Sequence, residues 1–289
     1  MRRLLIVGCG DVVRRALPEL VRRWRVYALV REPEEDLRAL GVLQIPGDLD
    51  RPATLRRLAG IAHAVLHSAP PPGDGAADTR TQRLIAALGR SRSLPRSLVY
   101  ISTSGVYGDC GGALVDESRP SRPETARARR RVDAERRLRA FGRRSACRVS
   151  VLRAPGIYAG DRLPLDRIER GDPVLHSDED VFTNHIHADD LGRACIAALR
   201  RGRPNRAYHA SDDSALRMGD WYDKLADRFA LARLPRVTRA EAARRLSPVM
   251  LSFMGESRRL DNTRLKRELK MALRYPTVDA GLASIRENR

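Results

Sequence analysis

The sequence has few aromatic residues and no long apolar run. Phe, Trp and Tyr make up 4% of the chain while all hydrophobic residues make up 42%, so aliphatic side chains must form the core. No stretch reaches the ~18 consecutive apolar residues of a membrane-spanning helix. The short apolar run after Arg3 ends at Asp11 without a small-residue cleavage motif, which favours a strand over a signal peptide. We therefore expect a cytoplasmic protein with no membrane partner.

Cysteine is also scarce. The four residues Cys9, Cys110, Cys147 and Cys195 form no C-x-x-C pair and lack the spacing of a disulfide framework or a zinc site. We expect reduced thiols and no bound metal.

Lysine is nearly absent although the formal net charge is +19. Of 55 basic residues only Lys224, Lys266 and Lys270 are lysines, and the arginines are spread over most segments. A clustered basic surface would indicate nucleic-acid binding, whereas dispersed arginines indicate a composition bias and solvated helix faces. We expect no nucleic-acid partner; the dense run from Arg127 to Arg144 is where that alternative stays open.

Short apolar runs alternate with longer amphipathic stretches, which predicts βαβ units around a doubly wound parallel Rossmann sheet of the α/β class. The predicted strands are Leu4–Val7, Val26–Val30, Val42–Ile45, Ala64–His67, Leu98–Ser102 and Arg148–Leu152. The predicted helices are Val12–Arg23, Glu34–Leu40, Ala53–Leu58, Ala76–Leu88 and Glu124–Phe141. We assign 1–169 to a dinucleotide-binding domain and 170–289 to a smaller, mostly helical lobe, with 182–212 returning to the sheet.

The first strand leads into Gly8-Cys9-Gly10-Asp11-Val12-Val13, a G-x-G-x-x-G turn whose third glycine is replaced. Gly8 permits the tight turn, and Gly10 lets the backbone approach a diphosphate. The helix that begins near Asp11 and Val12 directs free N–H groups at that anion. Val13 adds bulk where a glycine would let helix and strand approach closely. The turn predicts dinucleotide binding.

Arg31 follows the second strand, where NAD-preferring Rossmann proteins carry an acidic residue for the ribose hydroxyls. A guanidinium there matches the charge and geometry of a 2′-phosphate. We therefore expect NADP as the preferred cofactor, with NAD as the alternative.

Five further segments together resemble the extended short-chain dehydrogenase/reductases, in particular their NAD-dependent epimerase/dehydratase-like branch, in order and spacing. They are GDLD from Gly47, HAVLHSAPPP from His63, VYISTSGVYG from Val99, LRAPGIYAGDRLPL from Leu152 and FTNHIHADDLGRA from Phe182. The resemblance implies that Asp48 lies near the adenine, that Ala69 and Pro70 line the cofactor, and that Thr103 occupies the catalytic Ser/Thr position. It also implies hydride chemistry on a nucleotide sugar or similar small molecule, and points to a homodimer.

The sequence departs from that family at the catalytic Y-x-x-x-K pair. Arg127 stands at the tyrosine position and Arg131 at the lysine position, and none of the seven tyrosines has a lysine four residues later. Guanidinium stays protonated and cannot act as a general base, although Arg131 could hold ribose or phosphate and Arg127 an anionic substrate. Tyr107 is our first candidate for proton transfer and Tyr158 the second, with packing as the alternative for both.

Two histidines, His185 and His187, share one face of a predicted strand close to Asp189 and Asp190. This pattern could imitate a metal site, but we favour a structural strand followed by a helix that one of the two aspartates caps.

The leading hypothesis is an NAD(P)-dependent epimerase, dehydratase or reductase in which Thr103 polarises the reacting oxygen and Arg153 neutralises substrate phosphate. The alternative is a non-catalytic NADP-binding sensor or regulatory protein, which the missing tyrosine and lysine favour.

Overall fold

A seven-stranded parallel sheet forms the centre of the computed structural model, which describes residues 1–285. Its strands are Arg3–Val7 (β1), Arg25–Val30 (β2), Leu43–Pro46 (β3), Ala64–His67 (β4), Ser97–Thr103 (β5), Arg148–Ala154 (β7) and Arg206–His209 (β12). They lie in the order β3-β2-β1-β4-β5-β7-β12, so the chain reverses its direction of winding between β1 and β4. Ligands of open α/β sheets bind at this switch point, beyond the carboxyl ends of the strands.

Helices cover both faces of the sheet because alternate residues of each strand point to opposite faces. Leu4 and Ile6 belong to one buried cluster and Leu5 and Val7 to another. The helices are Asp11–Arg23 (α1), Glu35–Ala39 (α2), Thr79–Leu88 (α3), Ala126–Ser145 (α4), Leu165–Glu169 (α5), Ala188–Arg201 (α6), Met218–Arg228 (α7), Arg239–Arg245 (α8), Pro248–Met254 (α9), Thr263–Leu269 (α10) and Val278–Ala283 (α11). Side chains of α1, α6 and α10 pack in the first cluster, and those of α3 and α4 in the second.

A third buried cluster forms the core of a smaller lobe built around α7, with Trp221 and Leu225 among its members. Short two-stranded pairs connect this lobe with the loops of the sheet. Their strands are Leu114–Val115 (β6), Gly156–Tyr158 (β8), Val174–Leu175 (β9), Phe182–Thr183 (β10), His185–His187 (β11), Leu216–Arg217 (β13), Arg236–Val237 (β14) and Arg259–Leu260 (β15). The lobe thereby covers the carboxyl edge of the sheet near β5 and β7.

The predicted doubly wound sheet is confirmed, with differences at element ends. Helix α3 begins at Thr79 instead of Ala76, because the Asp78 carboxylate accepts a hydrogen bond from the Thr81 N–H at 3.0 Å and caps the helix. The segment predicted as a helix from Ala53 is a 3₁₀ helix, Pro52–Leu58. Strand β12 lies within 182–212 and pairs with β7; the proposed division at 169/170 stays a prediction. Across residues 1–285, no helix combines the length and apolar character needed to cross a membrane.

The segment with two histidines forms β11 and the start of α6. The cap that we predicted at Asp189 or Asp190 is wrong: His187 Nδ1 accepts from the Asp189 N–H at 3.2 Å and caps α6. Asp190 instead accepts hydrogen bonds from the N–H groups of Arg274 and Tyr275. This buried carboxylate ties the start of α6 to the segment before α11, a contact distant in sequence that local patterns do not indicate.

Candidate active site

The turn after β1 has a backbone that only glycine fits at its first position. Gly8 has φ +91°, and a Cβ there would lie 2.4 Å from the backbone nitrogen of Ala69. Gly10 has an ordinary φ of −81°, yet apart from its chain neighbours no atom of residues 1–285 lies within 4 Å of where its Cβ would be. Gly8 is therefore required by the fold, whereas Gly10 leaves an open space into which a ligand can come close to the backbone.

Helix α1 begins at Asp11, and in the described part of the chain no side chain caps its first N–H groups. Those groups and the positive end of the helix dipole favour an anion. The Asp11 carboxylate accepts hydrogen bonds from Arg15 at 2.8 Å and from Arg162 at 2.8 Å. Arg15 also pairs with Asp189 and Asp161, so the two guanidinium groups offset only part of the negative charge at the helix start. Val13 is buried in the core, so the missing third glycine changes packing without closing the turn.

A cavity of about 300 Å³ opens beside the turn and brings together most of the predicted cofactor-binding residues. Its lining includes Gly8, Arg31, Asp48, Ala69 and Pro70. Glu34 and Arg80 also line it and were missed by the sequence analysis. Glu34 pairs with Arg14, and Arg80 pairs with Asp50 at 2.6 Å. These ion pairs balance the charges of Glu34 and Arg80 and leave the exposed Arg31 side chain as a cation directed to the cavity.

A second cavity of about 350 Å³ lies where the smaller lobe covers the end of β5. Thr103, Ser104 and Gly105 line it on the sheet side together with Arg127, while Phe253, Glu256 and Arg258 line it on the lobe side. The Thr103 oxygen accepts a hydrogen bond from the Gly105 N–H at 3.2 Å. The Thr103 hydroxyl hydrogen is therefore free to be donated into this cavity, which we call the substrate cavity.

Glu256 and Arg258 are functional candidates that the sequence analysis missed. The Glu256 carboxylate pairs with Arg258 at 2.9 Å, and the two side chains are only 11% and 10% exposed. Glu256 Oε2 and Thr103 Oγ1 both lie within 4 Å of the point where a Gly105 Cβ would stand. A reacting atom in front of Gly105 is thus within reach of both oxygens. No motif surrounds Glu256 in the sequence; only the folded lobe brings it to Thr103.

The two arginines at the Tyr and Lys positions have separate roles in the structure. Arg127 lies at the mouth of the substrate cavity, with its guanidinium 4.6 Å from the ring centre of Phe253. Arg131 donates from Nη1 to the Tyr100 hydroxyl and to the Ile101 carbonyl, both at 2.9 Å. Arg127 lies where a molecule in the cavity could contact it, whereas Arg131 joins α4 to β5 by hydrogen bonds.

Tyr107 is 1% exposed, in a buried chain of polar groups. Arg153 Nη1 donates to its oxygen at 2.6 Å, and its hydroxyl lies 2.6 Å from His209 Nε2. His209 Nδ1 lies 2.9 Å from the Asp261 carbonyl, an acceptor, so Nδ1 carries the hydrogen and Nε2 accepts from Tyr107. Burial raises the pKa of Tyr107 to about 12. Tyr107 is not among the described residues that line the substrate cavity, so direct proton transfer by Tyr107 stays a prediction.

Arg153 does not fulfil its predicted role. Its side chain is 4% exposed and pairs with the buried Glu135 carboxylate at 2.8 Å. Burial alone would raise the pKa of Glu135, but the guanidinium groups of Arg153 and Arg139 and the Ser102 hydroxyl together hold the pKa below its ordinary value. Arg153 is thus occupied inside the protein and is not available to a substrate phosphate. An arginine within a strand motif cannot be assigned to surface or core from sequence alone.

Tyr158, the second candidate for proton transfer, packs in the lobe. Its hydroxyl lies 3.3 Å from the Thr277 carbonyl and its ring contacts Trp221 and His187. Burial raises its pKa well above the ordinary value. These contacts describe a packing role. Neither near His185 and His187 nor elsewhere in residues 1–285 do three His, Cys, Asp or Glu side chains come together so that they could hold a metal ion.

Comparison with known proteins identifies the family. A sequence profile of the NAD dependent epimerase/dehydratase family matches residues 21–211. The chain belongs to this family. The matched range begins after the Gly8–Gly10 turn, so the assignment of that turn depends on its geometry. The expected resemblance to the extended short-chain dehydrogenase/reductases is confirmed.

Solved structures of similar fold extend over nearly the whole chain. A conserved protein of unknown function from Silicibacter pomeroyi is 28% identical, with TM-score 0.79 over 99% of this chain and 98% of its own. UDP-glucose 4-epimerase from Thermotoga maritima, solved with UDP-glucose, is 16% identical, with TM-score 0.78 over 98% of this chain and 97% of its own. A dTDP-glucose 4,6-dehydratase double mutant from Streptomyces venezuelae, solved with NAD, is 21% identical, with TM-score 0.75 over 100% and 98%.

Among curated proteins, human dTDP-D-glucose 4,6-dehydratase is 24% identical over 137 residues. The match covers 45% of this chain and 39% of the human protein. The chain therefore matches well under two thirds of that relative.

Proposed function

We propose that this protein is an NAD(P)-dependent epimerase, dehydratase or reductase that acts on a nucleotide sugar or a similar polar, anionic substrate. The observation that carries the proposal is that Thr103 borders the substrate cavity at the same sheet edge as the Gly8–Gly10 turn. A dinucleotide stretched along this edge would have its diphosphate at the turn and its reactive end toward Thr103. The UDP-glucose and NAD in structures of similar fold support this substrate and cofactor class.

The residues around the turn fit a dinucleotide. Gly8, Gly10 and the N–H groups at Asp11 and Val12 would hold the diphosphate, and Asp48 the adenosine side. A bound nicotinamide would supply the acceptor and donor of hydride. We propose NADP as the preferred form, because Arg31 lies exposed beside the cavity while Glu34, the acid that could bind ribose hydroxyls, pairs with Arg14.

We propose that Glu256 takes the place of the absent tyrosine in proton transfer. The Thr103 hydroxyl would donate a hydrogen bond to the reacting oxygen of the substrate. The Glu256 carboxylate would accept the proton of the substrate's own hydroxyl group as the substrate carbon is oxidised. Both groups face the space in front of Gly105. Tyr107 remains the other candidate. Arg127 and Arg258 would hold the anionic part of the substrate, since both residues line the cavity.

A non-catalytic NADP sensor is the second candidate function. One observation favours it. Arg131, at the position of the ribose-holding lysine, donates from Nη1 to Tyr100 and Ile101, so that nitrogen is engaged within the protein. Such a protein would bind the cofactor and transmit its presence to a partner without turnover.

Incubation with nucleotide sugars and either coenzyme separates the two functions. Product analysis by chromatography is needed besides nicotinamide absorbance, because epimerisation leaves no net redox change. Conversion that is lost in Thr103→Val supports the enzyme. Coenzyme binding without conversion of any substrate supports the sensor. The cytoplasmic location and the homodimer stay predictions.

A further inference from the structure

A cavity of about 400 Å³ lies at the amino-terminal edge of the main sheet, opposite the edge that carries Thr103. We call it the basal cavity. Arg2, Arg96, Arg148, Arg200, His63 and Trp24 are among its lining residues. It shares no lining residue with the cofactor cavity or the substrate cavity. Its role is therefore a separate question from the proposed function.

The basic side chains converge because several parallel strands begin with one. Arg2 precedes the first residue of β1, His63 precedes β4, Arg96 precedes β5, and β7 begins at Arg148. Parallel pairing sets these positions side by side: Ser97 is the partner of Arg148, and the Arg3 N–H donates to His63 Nδ1 at 3.0 Å. The end of α6 brings Arg200 to the same edge.

The basal cavity is strongly positive. Within residues 1–285 no carboxylate lines it. The positive charge also acts on His63. Burial lowers the pKa of His63 most, and the nearby guanidinium groups of Arg3, Arg96 and Arg2 lower it further. Like charges gathered in one concave space repel each other, and a bound anion relieves that repulsion.

Helix C-termini at this edge explain only part of the arrangement. The last carbonyls of α6 attract basic side chains, and Arg148 Nη2 donates to the Leu199 carbonyl at 2.9 Å. That contact uses one nitrogen of one guanidinium, while Arg148 Nε is buried with no hydrogen-bond partner among residues 1–285. It leaves the presence of Arg2, Arg96 and Arg200 around the same space unexplained.

We propose that the basal cavity binds a small phosphorylated anion with a diphosphate group. Guanidinium groups pair with phosphate oxygens through two parallel hydrogen bonds, and several of them suit a multiply charged anion better than a single carboxylate. The volume lies within the range of small-molecule sites. Trp24 adds a flat apolar surface, which suits the base of a nucleoside diphosphate.

Trp24 also supplies the measurement, because the chain has two tryptophans and the other, Trp221, is buried in the lobe. Inorganic pyrophosphate is titrated while tryptophan emission is recorded. The proposal expects a saturable change that disappears in Trp24→Phe. Arg96→Gln combined with Arg200→Gln should weaken binding about tenfold or more, since two charged hydrogen-bond donors are lost.

Arg244→Gln combined with Arg245→Gln is the matched control, because it removes the same charge from exposed positions of α8. Its affinity should equal that of the wild type, and circular dichroism verifies folding of every variant. Absence of a saturable change, or equal weakening in both double variants, overturns the proposal. Tighter binding of an oligothymidylate that competes for the Trp24 signal would make the cavity a nucleic-acid contact and equally overturn it.

Discussion

Arg131 Nη1 donates a hydrogen bond of 2.9 Å to the hydroxyl of Tyr100, a side chain with no exposed surface. The residue that stands where the family resemblance places a ribose-holding lysine therefore reaches into the sheet. Arg131 thereby connects α4 with β5.

We predict that Arg131→Met lowers the free energy of unfolding by about 1–3 kcal/mol, because the buried Tyr100 hydroxyl and the Ile101 carbonyl lose a charged donor. Urea unfolding at neutral pH measures the change. Arg127→Met, on the same helix but exposed, is the control and should change stability by less than about 1 kcal/mol. Equal effects of the two substitutions would show that Arg131 does not fasten α4 to β5.

Glu256→Gln should reduce turnover about 100-fold or more once a substrate is known, because the amide keeps the shape but cannot accept the proton. Glu169→Gln, at an exposed position of α5, serves as the control and should leave turnover unchanged. Steady-state kinetics of both variants are compared with those of Tyr107→Phe. Full activity of Glu256→Gln together with an inactive Tyr107→Phe would transfer the role to Tyr107.

Replacement of Arg31 by Gln should weaken NADPH binding about tenfold and leave NADH binding nearly unchanged, since only NADPH carries the 2′-phosphate. Fluorescence titration with each coenzyme gives the two dissociation constants. An equal loss for NADPH and NADH would mean that Arg31 acts through general charge or through folding.

The apolar pattern of the sequence was sufficient to predict the strands of the main sheet, because a buried parallel strand is a short apolar run whichever strands it pairs with. It was also sufficient for Gly8, where the turn imposes a positive φ. It was insufficient for Glu256 and Arg258, which approach Thr103 only because the lobe folds over β5. The prediction for Arg153 was wrong for a related reason. Its partner Glu135 lies on α4, the helix before β7, and sequence spacing does not show that the pair is buried.

Histidine burial makes stability depend on pH. Burial lowers the pKa of His209 to about 4, below the ordinary 6.5, so the unfolded chain binds this proton more readily than the folded one. The stability due to His209 is complete above pH 6.5 and is lost as pH falls toward 4. Burial also raises the pKa of Asp212 to about 7, and this shift makes stability depend on pH in the opposite sense. The effect of His209 is therefore measured as the difference between the wild type and a His209 variant.

His209→Gln should therefore be less stable at pH 7 but should lose less stability than the wild type between pH 6.5 and 4. The difference in slope should approach about one proton per molecule. Urea unfolding across this range measures it. His176→Gln, at an exposed position, should keep the wild-type slope; a wild-type slope in His209→Gln as well would contradict the neutral, buried state of His209.

We infer that a dinucleotide places its diphosphate against the Gly8–Gly10 turn, a claim that a coenzyme titration of Gly10→Val beside the wild type checks. Among residues 1–285 nothing lies within 4 Å of a Cβ at Gly10 or at Gly73, and the melting temperatures of Gly10→Val and its control Gly73→Val verify that both variants fold. Wild type and Gly73→Val should bind NADPH or NADH saturably and be stabilised as coenzyme is added, while Gly10→Val should lose both effects. Wild-type protein that binds neither coenzyme at millimolar concentration, or a Gly10→Val variant that binds as the wild type does, would contradict the claim.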